Sequence, residues 1–174
     1  VDLLRLVRDL AVDRVSRYFS EDPVGVSAIP RIYPPAKHEE LVALEQRSGQ
    51  LIEATYRDFL SLTDGMDGFH LDMSVLGCKD IEGGVLAKLA ARFLQGVRED
   101  VTTEDVGLPA EIGLFPIAVN GDCSRAIFMI DAPDILPERI WWVGEGDSMF
   151  FGTFADLLSY ALDRLSYNPR ETVD

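Results

Sequence analysis

Apolar residues follow two patterns along the chain, a spacing of three or four in some stretches and short unbroken runs in others; these patterns separate helices from strands. In VDLLRLVRDLAVDRVSRYF, Leu4, Val7, Ala11, Val15, Tyr18 and Phe19 recur at helical spacing. They predict a helix over residues 2–19 with one apolar stripe, stopping before Pro23 and Gly25. Val26 to Pro35 holds three prolines among Ile29, Ile32 and Tyr33, which favours an extended connector or a short edge segment. From Lys37 the helical period returns with Leu41 and Leu44, and Ser48-Gly49 closes it, because glycine accepts the left-handed conformation at a helix end. Tyr56, Phe59 and Leu60 predict a second short helix stopped by Asp64-Gly65, the two forming a helical hairpin with an aromatic face toward the core.

Leu71 to Cys78 alternates and is flanked by turn residues, so it is expected to be a strand. Leu86, Leu89, Ala90, Phe93, Leu94 and Val97 trace a helical stripe that ends near Asp100, and the acidic stretch Glu99 to Glu111 is expected to be an exposed, irregular loop. Leu114–Val119 and Ala126–Asp131 flank Asn120-Gly121-Asp122, a hairpin signal. Ile140–Val143 and Met149–Phe151 repeat the arrangement around Gly144 to Ser148. Two successive hairpins imply a largely antiparallel sheet. Thr153 and Asp156 form a capping box ahead of Phe154, Leu157, Leu158, Ala161, Leu162 and Leu165, which predicts a last helix closed by Asn168-Pro169. Trp141 and Trp142 are neighbours in a strand and therefore point to opposite faces, one into the core, the other toward a second core layer or a binding surface.

The chain has 174 residues, 47% of them hydrophobic, and a mean hydropathy of +0.06, enough for one buried core and too apolar for a disordered chain. No internal repeat or long linker divides it. The longest apolar runs fall short of the roughly 20 residues that span a bilayer. Charges interrupt the N-terminal stretch, unlike a secretory signal, so the expected location is cytoplasmic. The net charge of -14 argues against nucleic acid and anionic membranes and would attract a basic protein. Cys78 and Cys123 are too few for a disulfide scaffold and are expected to be buried free thiols.

No arrangement of chemistry-bearing residues stands out. His38 falls at a charged helix start, where a solvated position is expected. His70 and Asp72 supply two of the three or four ligands a metal site requires. Asp64, Asp67 and Asp72 miss the ligand spacing of a calcium loop, and Gly83-Gly84 opens a helix without the lysine of a phosphate-binding loop. Carboxylate pairs carry no information among 30 acidic residues. No enzyme, cofactor or metal is expected; an uncharacterised hydrolase using His70 or Asp72 is the remote alternative.

The order of Pro34-Pro35, a helix with Glu40-Leu41 and Leu44-Glu45, a glycine stop and then TYRDFLSLTDGMDGF resembles the SUKH superfamily pattern "P…E.I..lE..lg..lP..Y..FL...NGg". FPIAVNGDCSRAIFMIDAPD and IWWVGEGDSMFFGTFADLLSYAL are similar to that family's hairpin, final strands and closing helix. The likeness spans Pro34 to Leu165, leaving 1–33 as N-terminal helix and connector and 166–174 as a tail. It departs from the pattern at Ile52-Glu53-Ala54, which replaces "lP", and at Asp64-Gly65-Met66, which replaces "NGg", as in a divergent member; the helix Val85 to Asp100 would be an elaboration.

The resemblance implies a one-domain α+β fold, with helices packed on a twisted antiparallel sheet, that binds proteins. Bacterial members resemble immunity proteins that neutralise a toxin, often a nuclease; fungal members are regulators of cell-wall assembly and signalling. The expected mechanism is occlusion, with carboxylates placed where a nuclease expects phosphates. The candidate surface is Glu99, Asp100, Glu104 and Asp105 together with Glu145 and Asp147. A regulatory or scaffold domain without catalysis is the alternative.

Overall fold

The structure, a computed structural model, describes residues 1–21, 24–25, 28–167 and 172–173, and of Asp147 the backbone alone. It is an α+β fold built on one seven-stranded antiparallel sheet whose strands lie side by side in chain order. The strands are β1 (Arg31–Ile32), β2 (Met66–His70), β3 (Met73–Val75), β4 (Leu114–Asn120), β5 (Arg125–Ile130), β6 (Ile140–Gly144) and β7 (Asp147–Phe151). Among the described residues six α-helices accompany them: α1 (Leu3–Glu21), α2 (His38–Ser48), α3 (Ala54–Leu60), α4 (Val85–Glu99), α5 (Thr102–Asp105) and α6 (Phe154–Ala161). Both expected hairpins are present, with Val119 opposite Ala126 and Ile140 opposite Phe151.

Each face of the sheet carries its own core, and the tryptophan pair marks the division. Trp142 lies with Tyr56, Phe59, Phe154 and Leu158 under α1, α3 and α6, whereas Trp141 lies with Phe128, Phe150 and Val97 under α4. Both tryptophans are buried, so the second is a core layer and not an exposed anchor. The Trp141 indole N–H donates to Ser148 Oγ at 2.6 Å, satisfying its one polar atom.

Several elements differ from the sequence expectation. Residues 66–70 form a strand where glycines suggested a turn: Gly68 (φ 65) sits at a register shift of β2, and a Cβ there would lie 2.7 Å from the Ala28 carbonyl oxygen. A local bulge, not a chain reversal, explains that glycine. The strand expected over Leu71–Cys78 shrinks accordingly to β3, followed by a single 3-10 turn at Cys78–Asp80. Helix α3 packs on α1 and α6 and is joined to α2 by the Arg57–Glu45 ion pair at 3.3 Å, while α2 also meets the 3-10 turn. Gly49 does close α2, at φ 69. The last helix ends at Ala161, because Asp163 takes φ 57 and Arg164 N–H turns back to the Ser159 carbonyl; Leu165 lies beyond it, and the expected stop at Asn168-Pro169 lies outside the described residues.

The first helix buries a different face from the expected one. Leu6, Val7, Leu10 and Arg14 point inward, while Leu4, Val15 and Phe19 are exposed. The inward stripe is displaced by roughly a third of a turn at 100° per residue. It is selected by Arg14, whose Nε donates to the Phe69 carbonyl at 2.6 Å and whose Nη2 reaches the Ala161 carbonyl, satisfying two chain ends that the other face would leave open.

Candidate functional site

The stretch Glu99 to Glu111 is not an irregular loop. After α4 the chain bends at Val101, a β-branched residue held in the left-handed region at φ 50 and ψ 32, and then makes the single turn α5. Such a conformation is unfavourable for a branched side chain and persists only where the surroundings enforce it. Here Thr103, Val106, Leu108 and Ile112 are buried in the core beneath α4, and Arg98 donates to the carbonyls of Ala110 and Ile112. The spacing of these anchors leaves Glu99, Asp100, Glu104 and Asp105 facing solvent. Among the described residues no ion pair reaches any of the four.

The bend meets the β4–β5 turn across a recess of about 280 Å³ whose lining includes Arg92, Asp100, Thr102, Asp122 and Cys123. Asp122 was not among the candidates, since Asn120-Gly121-Asp122 signals a turn and nothing in the sequence places α4 beside it. Its carboxylate accepts from Ser124 Oγ at 2.6 Å, Ser124 N at 3.0 Å and Asn120 Nδ2 at 2.7 Å. The Ser124 hydroxyl, followed by the Ser124 amide, holds its pKa below the usual range, so the recess keeps an ionised carboxylate at neutral pH.

The second hairpin turn carries the other two expected carboxylates, Glu145 and Asp147. The turn is only Glu145-Gly146, both at positive φ (54 and 83), and the Glu145 carboxylate is paired with Arg125. Arg125 also lies 3.9 Å from Asp72. Glu145 is therefore partly neutralised, and the side chain of Asp147 lies outside the described residues. Glu99, Asp100, Glu104 and Asp105 are the exposed carboxylates of the bend, and Asp122 faces Asp100 across the recess.

His38 is exposed at the start of α2. His70 is not set up as a ligand: its ring lies 5.3 Å from that of Trp142 and 6.5 Å from that of Tyr160, and Asp72 is turned to Arg125. Among the described residues no group of three potential metal ligands exists. Both cysteines are free thiols, but only Cys78 is buried as expected, and burial pushes it up to about 12; Cys123 is half-buried at the β4–β5 turn, against the Leu89 carbonyl.

Burial, then the cations Arg14 and Arg125, lower the His70 pKa to about 4 from an ordinary 6.5, while Asp163 opposes them. The folded protein thus holds a neutral His70 that the unfolded chain protonates first. Its contribution to stability is complete above pH 6.5, is lost as pH falls toward 4, and does not change further below that. The loss should reach about 2–3 kcal/mol. Urea unfolding of wild type and His70→Phe from pH 7 to pH 4 should show the gap between them shifting by that amount against wild type; parallel pH profiles would mean that His70 titrates alike in both states.

No protein-family model matches the chain, and no curated protein matches it. Among the described residues no helix is long and apolar enough to cross a membrane.

Proposed function

We propose that this protein is a non-catalytic binding module, a divergent SUKH-like immunity protein that occludes a basic toxin domain in the cytoplasm. The observation that carries this reading is the rigid display of Glu99, Asp100, Glu104 and Asp105. These carboxylates project from a bend anchored by Thr103, Val106 and Leu108, with Asp122 across the recess. Exposed carboxylates on an anchored bend of a body of charge -14 attract a cationic cleft at long range and dock without reordering the backbone. A nuclease cleft, built to hold phosphates, has the complementary chemistry. The recess offers it Arg92 as well, which would reject a uniformly basic surface and so adds specificity.

The test is capture of the tagged protein's partner from its native cells, followed by titration at several salt concentrations. Recovery of a basic toxin domain is expected, with E104K/D105K weakening it at least about 100-fold and flattening the salt dependence. Equal affinity and an unchanged salt slope would remove the acidic bend from the interface. Recovery of envelope or signalling proteins without salt sensitivity would favour a regulatory or scaffold domain.

A further inference from the structure

A second recess, of about 400 Å³, opens where the end of α1 meets the β2–β3 turn and the residues after α6. Arg17, Tyr18, Glu21, His70 and Asp163 bring polar groups from these three places to its lining, and Ala28, Pro30 and Leu71 add apolar wall. The fold makes little use of the polar groups. Among the described residues the side chains of Tyr18 and His70 make ring contacts alone, which leaves the hydroxyl and the ring nitrogens without a hydrogen-bond partner. Glu21 has no ion pair among them either. Arg17 commits its Nε to Asp13 at 3.0 Å, whereas its Nη2 only approaches Asp163, at 3.8 Å. Leu71, 54% exposed, takes φ 51 in the tight β2–β3 turn, a left-handed position that glycine or asparagine ordinarily fills. A leucine held there is unfavourable for the fold and gives the recess an apolar edge.

We propose that this recess binds a free α-amino acid with an apolar side chain. An apolar wall with a few converging polar groups is the usual make-up of a small-molecule site. The charges select a zwitterion. The lining holds the cations Arg14 and Arg17 and the carboxylates Glu21 and Asp163, so a ligand with both charges finds a partner for each, and a ligand with one leaves the other sign unanswered. The two signs also have separate places. Around His70 the cations Arg14, Arg125 and Arg17 face a single opposing carboxylate, Asp163. The ligand carboxylate therefore belongs there, accepting from the Arg17 guanidinium, the His70 ring N–H and the Tyr18 hydroxyl. Asp13 bridges Arg14 and Arg17 and holds the latter in position. Glu21 and Asp163 are exposed and take the ammonium from the solvent side. A body of charge -14 repels a net anion but not a neutral zwitterion. The ligand side chain then lies against Ala28, Pro30 and Leu71.

Titration of the full chain with L-phenylalanine at pH 7, followed by NMR at the rings of His70 and Tyr18, should show saturable binding with a dissociation constant of about 1 mM or below. 3-Phenylpropionate lacks the ammonium and 2-phenylethylamine lacks the carboxylate; each should bind at least about tenfold more weakly. Arg17→Gln and Glu21→Gln change exposed side chains, should leave the fold intact, and should each raise the dissociation constant about tenfold. Glu39→Gln, at an exposed carboxylate on α2, should leave it unchanged. Absence of a saturable shift with phenylalanine up to about 30 mM, or an affinity indifferent to both Arg17→Gln and Glu21→Gln, overturns the proposal. Either analogue binding as tightly as phenylalanine overturns it as well, because one charge would then suffice. The acidic bend packs with α4 on the other face of the sheet, so E104K/D105K should leave phenylalanine binding unchanged.

Discussion

Replacing Glu53 with alanine should cost about 4 kcal/mol of folding stability, measured by urea unfolding at pH 7. Glu53 is buried just before α3, and its carboxylate is an acceptor for two helices at once. Oε1 accepts from Thr55 N at 3.1 Å; Oε2 accepts from Tyr56 N at 2.9 Å and, from the start of α6 a hundred residues later, from Phe154 N at 3.1 Å. Thr55 Oγ1 donates to Oε2 at 2.8 Å and accepts from Ala155 N at 2.9 Å, extending the junction. The charge sits where two helix N-termini converge, and their dipoles and free N–H groups stabilise it. Alanine strands three N–H groups together, two buried and one half-buried, so the cost exceeds that of one lost cap. Glu53→Gln keeps one acceptor oxygen but turns an NH₂ group toward N–H donors; about half the loss is expected. A loss below about 1 kcal/mol for alanine would mean that other acceptors replace the carboxylate.

This junction also shows where sequence reasoning stopped. Ile52-Glu53-Ala54 registered only as a departure from a pattern with proline, because the second helix served by Glu53 is remote in sequence. Local signals fared better. Asn120-Gly121 marked a hairpin, Thr153 with Asp156 a helix start, and Gly49 a helix end, each resting on the chemistry of a few adjacent residues. Gly68 misled for the same reason: locally a bulge and a turn both require a glycine, and only the Ala28 carbonyl against it distinguishes them. In α1 the apolar residues cover most of the circumference, so periodicity admits two stripes, and the one on the outside was the more regular.

The candidate site divides along the same line. Exposure of Glu99, Asp100, Glu104 and Asp105 followed from composition, but their rigidity did not, since it depends on Thr103, Val106 and Leu108 entering a core formed by distant strands. The Glu145 pair with Arg125 depends on the β5–β6 register, and the position of Asp122 on α4 lying beside β4. Long-range placement decides which carboxylates remain free to meet a partner.

Arg14 provides the second large effect. Its guanidinium is buried, donates to the carbonyls of Phe69 and Ala161, and pairs with Asp13 at 2.6 Å. One side chain thereby ties α1 to the end of β2 and to the last residue of α6, the two places where the chain leaves regular structure with open carbonyls. Burial lowers its pKa, with Asp13 opposing the shift. Arg14→Ala leaves both carbonyls without their donor and should destabilise the fold by about 3–4 kcal/mol, a fall of roughly 10 °C in Tm for a chain of this length. Arg14→Lys should recover little of this, because a single ammonium cannot reach two carbonyls on separate elements as a planar fork does. Lost stability alone would fit any buried residue, so the discriminating readout is His70, whose pKa Arg14 helps to depress. In Arg14→Ala the His70 titration, followed by NMR, should move upward from about 4 toward 6.5. An unmoved titration would mean that burial and Arg125 keep His70 neutral without Arg14, which then acts on the backbone only.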